Sequence, residues 1–156
     1  MGGMEKHEVS KYIYIAAMGF VGAFMRIVVD ALVPVTGFPV ATFVVNIVAC
    51  FCLEVVYSFV GRRLHFPKKL VSAMGVGLIG SFSTMSAFAL DTVQFVQQGS
   101  YLLAGVNVSV TFVGCFLAAA AGRALSYYLA RRRFERLLDR LRAHNPEPTQ
   151  AQEQGR

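Results

Sequence analysis

Four stretches of this chain, 12–33, 39–60, 70–97 and 100–130, are apolar over a bilayer-crossing length and carry no charge near their centres. In hydrocarbon every backbone amide and carbonyl must find a partner inside the protein, so single apolar segments of this kind can only be helices. With 55% hydrophobic and 15% charged residues among 156, almost nothing is left over for a soluble domain. The expected fold is an all-α membrane protein of four transmembrane helices, residues 12–130. A polar N-terminal segment, 1–11, precedes it; a basic amphipathic helix, 131–142, and a disordered tail, 143–156, follow it. The third and fourth runs exceed a minimal span, which leaves room for tilt, a break or an extension into water.

Charge placement orients this bundle. The net +6 is gathered at Lys6 and Lys11, at Arg62, Arg63, Lys68 and Lys69, and at six arginines from Arg131 to Arg142. The loops 30–37 and 91–99 contain neither lysine nor arginine. By the positive-inside rule both termini and the middle loop are expected in the cytoplasm of a cell with a plasma membrane crossed four times. Cations confined to one side of a membrane argue against a nucleic-acid surface. The 1–11 segment is polar and no small-residue cleavage site follows it, so no removable leader is expected. Cys50, Cys52 and Cys115 fall inside helices without zinc-like spacing and are read as packing residues. His65, among basic loop residues, is not read as a ligand.

Within the third run the composition changes. Gly75, Gly77 and Gly80 lead into Ser81, Ser83, Thr84 and Ser86. A glycine- and hydroxyl-rich patch in the middle of an apolar span is expected to break the helix, and an irregular backbone at membrane depth must line a path or a binding site. Other spans carry polar stripes. Arg26 follows Gly19, Gly22 and Ala23 on one face of the first, one turn before Asp30; it is either an interfacial anchor or a draw for anions. Thr42 and Asn46 share a face of the second, either as helix glue or as donors along a polar path. Ser81, Met85 and Phe88 recur at helical spacing with Thr84 beside them. Asn107, Thr111, Cys115, Ala118 and Gly122 form a donor-rich, small-residue seam on the fourth. Phe134, Leu137, Leu138 and Leu141 repeat among arginines, fitting either a helix on anionic lipid or one protruding into water.

Together these elements resemble the CrcB/Fluc family of fluoride ion channels over about 18–122. The resemblance is carried by the small-residue run from Gly22 to Arg26, the threonine-to-asparagine motif ending in Thr42 and Asn46, the Gly77 and Gly80 pair with the box from Ser83 to Phe88 and its trailing Asp91, and Asn107 with Thr111. It implies a fluoride-selective subunit that lets cytoplasmic fluoride leak out passively, a third helix broken in mid-membrane, and an antiparallel dual-topology dimer with two pores. It further implies a structural sodium ion at the dimer centre, held by the carbonyls of Gly80 and Ser83. The anion path would comprise Arg26, Thr42, Asn46, Ser81, Thr84, Met85, Phe88, Asn107 and Thr111.

Departures from the family pattern are Met85 for a phenylalanine, Ala87 for a hydroxyl residue, and Ala41, Ala49 and Glu54 where glycine is usual. A chain that inserts both ways should show little Lys/Arg asymmetry, and this one shows a large one. The expected partner is therefore an oppositely oriented paralogue, with a homodimer as the alternative and membrane lipids as surroundings. A non-conducting or partly conducting subunit is a second reading. A small multidrug-type transporter is a third, which would require a central carboxylate that the first helix lacks. No nucleophile–base pair or metal-ligand set suggests an enzyme.

Overall fold

The structure, a computed structural model, describes residues 2–33, 37–62, 64 and 66–144, with side chains over 9–33, 37–62, 64 and 66–141. Pro34, Val35 and Thr36 of the expected outer turn, Arg63 and His65, and the tail from 145 lie outside the described residues. Helix α1 covers Gly2–Leu32, and α2 covers Val40–Val55 before widening into a π-helical turn at Val56–Gly61. Helix α3, Lys68–Ser72, opens into a second π-helical stretch at Ala73–Ile79 and closes with the short α4, Gly80–Phe82. Then come α5, Met85–Gln97, and α6, Tyr101–His144.

The described residues are all-helical in their regular structure and carry four helical spans long and apolar enough to cross a membrane: Val9–Leu32, Val40–Gly61, Lys68–Gln97 and Tyr101–Leu141. Two boundaries differ from the sequence expectation. The polar residues before Val9 lengthen α1, which starts at Gly2. The basic segment after 130 is no separate helix either, because α6 runs unbroken for 44 residues. At 1.5 Å per residue it is about 66 Å long, roughly twice the hydrocarbon thickness.

Close helix approach is bought with glycine. A Cβ on Gly22 would collide with the Leu78 carbonyl, and one on Gly77 would sit 2.5 Å from the Ile15 carbonyl. The first and third spans therefore meet backbone to backbone, as small residues allow in lipid. The second and fourth spans form the other main contact, α2 against α6. Val45, Ala49, Val56, Val71, Ala73 and Ile79 are buried between the spans. Phe20, Phe24, Ile27, Leu102 and Phe116 are each at least 60% exposed. So much exposed aromatic and aliphatic surface suits lipid or a second subunit, not water.

The link from α5 to α6 is a tight turn. Gly99 adopts φ +72°, and the Ser100 amide donates to the Phe95 carbonyl at 2.8 Å. That left-handed residue satisfies the end of α5 and starts α6 at once.

Candidate functional site

Helical dihedrals are lost at two consecutive residues, Ser83 (φ −73°, ψ 160°) and Thr84 (φ −148°, ψ 116°). Asn46, from α2, fills the gap. Its Nδ2 donates to the Thr84 carbonyl at 3.0 Å, and its Oδ1 accepts from the Thr84 amide at 2.8 Å. A single side-chain amide thus satisfies both backbone groups of an extended residue inside an apolar bundle.

This has a consequence for the carbonyls upstream. In an unbroken helix the Thr84 amide would serve the Gly80 carbonyl, and the Ala87 amide would serve that of Ser83. Here the first is engaged by Asn46, and the second donates to the Thr84 hydroxyl at 3.1 Å, capping α5. Both helical donors are drawn away from the Gly80 and Ser83 oxygens. Hard, neutral oxygens of unwound backbone are suited to an alkali cation. No group of three or more His, Cys, Asp or Glu capable of holding a metal occurs among the described residues. The π-helical register before the break, with the Gly80 amide donating to the Gly75 carbonyl, sets up the same region.

Beside the break lies a cleft of about 280 Å³, lined by Asn46, Gly80, Ser83, Thr84, Met85, Phe88 and Thr111 among others. Its walls are mostly apolar side chains, so the few donors count. Thr111 is 6% exposed, and its hydroxyl finds no hydrogen-bond partner among the described residues. The Asn46 amide nitrogen carries a second hydrogen beyond the one given to Thr84. Phe88 is buried and meets Phe112 nearly at right angles, ring centroids 6.1 Å apart. Aromatic ring edges are electropositive, so this wall is not hostile to a small anion. Met85 is 68% exposed at the rim.

Not every expected site residue reaches this cleft. Asn107 is 1% exposed and donates to the Thr92 hydroxyl at 2.9 Å, which in turn donates to the Phe88 carbonyl at 2.8 Å. It holds α5 against α6 and leaves the cleft to Thr111. Ser81 lies outside the cleft, its hydroxyl against Gly19 of the first span. The interruption therefore splits the stripe of Ser81, Met85 and Phe88 that a continuous helix would present. Arg26 pairs with Asp30 at 3.0 Å, away from the cleft. Thr42 joins Asp30, Asp91 and Gln94 around a separate cavity of about 300 Å³. Glu54 is also outside the cleft: it accepts from Ser58 and has Arg123 3.9 Å away.

Sequence reading missed Thr92 and Phe112. Each stood within reach of a chosen residue, Thr92 one turn after Phe88 and Phe112 beside Thr111. Their roles need the α5–α6 pairing to be visible.

The family model described as CrcB-like protein, Camphor Resistance (CrcB), matches residues 13–123. The chain is 33% identical over 121 residues to the fluoride-specific ion channel FluC 2 of Listeria monocytogenes serotype 4b, covering 78% of this chain and 94% of that protein. It is 30% identical over 130 residues to the fluoride-specific ion channel FluC 1 of Bacillus cereus, covering 80% and 90%. To the fluoride-specific ion channel FluC of Shewanella amazonensis it is 32% identical over 118 residues, covering 74% and 94%.

Proposed function

The chain belongs to the CrcB-like family, and from that premise we propose that it is a subunit of a passive fluoride channel. It is not an enzyme. The observation that carries the reading is the Asn46 clamp on Thr84 beside a cleft lined in part by Thr111, whose buried hydroxyl has no partner among the described residues. Fluoride is small and tightly hydrated, so leaving water requires strong donors at close range. The cleft offers the Thr111 hydroxyl, the second Asn46 N–H and the Phe88 and Phe112 rings, set in apolar walls where each donor counts for more than in water. A pore open in both directions would relieve cytoplasmic fluoride by leaking it down its gradient. The plasma membrane is the expected site, with both termini cytoplasmic.

The subunit pairs antiparallel with a second one. Its exposed apolar faces and the half-walled cleft fit a partner, and the one-sided arrangement of lysine and arginine favours an oppositely oriented paralogue over a second copy of this chain. A structural sodium ion at the interface would be held by the Gly80 and Ser83 carbonyls; when bound it supplies a fixed positive charge beside the two halves of the break. This chain's part is to keep those oxygens clear of helical donors, through Asn46 and the Thr84 cap.

A second reading, a subunit that conducts poorly itself and completes a partner's pore, is favoured by Met85, whose thioether lacks the electropositive edge of a ring. Glu54 does not strengthen that reading, because it is turned to Ser58 and Arg123. The deciding measurement is fluoride efflux from liposomes containing this chain with and without its oppositely biased paralogue, with chloride as control anion. Fluoride-selective efflux from the pair supports the channel. Absence of fluoride efflux from either preparation, with both proteins folded, would overturn it.

A further inference from the structure

The family match stops at residue 123, yet α6 continues to His144. Among its residues described with side chains, the last buried one is Ser126, 3% exposed, whose hydroxyl donates back to the Gly122 carbonyl at 2.8 Å. Back-bonding of this kind weakens a helix locally and eases bending, and it falls where packing against the bundle ends. Beyond it Tyr127, Phe134, Leu137 and Leu141 are all more than 50% exposed. At helical spacing Tyr127, Ala130, Phe134, Leu137, Leu138 and Leu141 share one arc of about 100°. Arg133 and Arg140 border that arc on one side and Arg131 on the other, while Asp139 falls on the far face. From 131 to 142 there are six arginines and two acids, a net charge of +4.

From this layout we infer that the α6 extension is a docking surface for the anionic phospholipid face of the bilayer the chain itself spans. An apolar arc edged by arginines lets the stems lie in hydrocarbon while the guanidiniums reach phosphates. Tyr128, with the Arg132 guanidinium 4.5 Å above its ring, sits where α6 leaves the apolar span and makes an interfacial anchor. A second copy of the extension is a poor occupant, because +4 would face +4 in the same groove. The lipid surface is opposite in charge and begins where α6 leaves the apolar span.

The chain contains no tryptophan, so F134W places a single fluorescent indole on the arc. The full-length variant would be reconstituted into vesicles of phosphatidylcholine alone, or with phosphatidylglycerol added, each with and without acyl-brominated lipid. The expected result is a blue-shifted, bromine-quenched emission in the anionic vesicles and a red, unquenched one in the neutral vesicles. The shift should be lost in the R133E/R136E/R140E background. It should also be lost on raising salt from about 0.01 M to about 1 M, which shortens the screening length from roughly 30 Å to 3 Å. Red emission in both compositions overturns the inference, and so does a blue shift that bromine does not quench, which would mean a protein occupant. None of these readouts depends on conduction, so failure here leaves the fluoride reading standing.

Discussion

Two side chains divide the labour at the break, and their removal should separate stability from transport. Asn46 is structural first. In N46A the part-buried amide and carbonyl of Thr84 lose their partner, at about 1–3 kcal/mol for each group left unsatisfied. A clearly lower midpoint in detergent thermal unfolding, together with loss of fluoride efflux, is the expected pair of results. Thr111 is the reverse case, a buried hydroxyl without a partner. T111V keeps the shape and removes an unmet hydrogen bond. It should leave the unfolding midpoint unchanged or raise stability by up to about 1 kcal/mol, while electrode-monitored fluoride efflux falls. A drop in both would mean the hydroxyl serves the fold.

At the scale of elements, the third span is assembled from pieces: a helix, a π-helical stretch, one short turn, two extended residues and α5. Its glycines and hydroxyls had set this segment apart in the sequence, since Gly75, Gly77, Gly80, Ser83 and Thr84 stand inside an apolar run. The element count was legible too, from length and missing charge alone. The widened turns were not, since hydrophobic periodicity over seven residues cannot distinguish a π register from an α one. Nor was the exclusion of Ser81 and Asn107 from the cleft, which follows from a change of face at residues 83 and 84 and from the hydroxyl of Thr92. The seam between the first and third spans gives a direct test. G22A inserts a methyl into the Leu78 carbonyl, an overpacking of about 1–3 kcal/mol. G105A, where nothing lies within 4 Å, should be harmless or slightly stabilising. Thermal unfolding of the two side by side checks this. T84V should cost about 1 kcal/mol through the lost cap on Ala87, and T84S should restore it.

For the molecule as a whole, the rim of the cleft bears on how much of a pore one chain supplies. Met85 stands exposed at the rim of the cleft, where an opposing subunit would close over it. If the partner's aromatic rings substitute for the missing one, M85F should raise efflux from this chain alone and change the mixed pair far less. Rates from liposomes of each composition measure this directly. The lopsided charge was the most visible whole-molecule feature, because twelve of the fifteen cations cluster in three places along the sequence; any interface was the least visible, since a surface that faces lipid and one that faces another subunit share the same composition.

The Asn46 clamp also ties two spans mechanically. Because both backbone groups of Thr84 are bound by one side chain of α2, sliding α2 along α5 by one helical rise, about 1.5 Å, would strain both bonds together. Any motion that opens or shuts this site must carry the two spans as one rigid strut, or else begin by untying that amide.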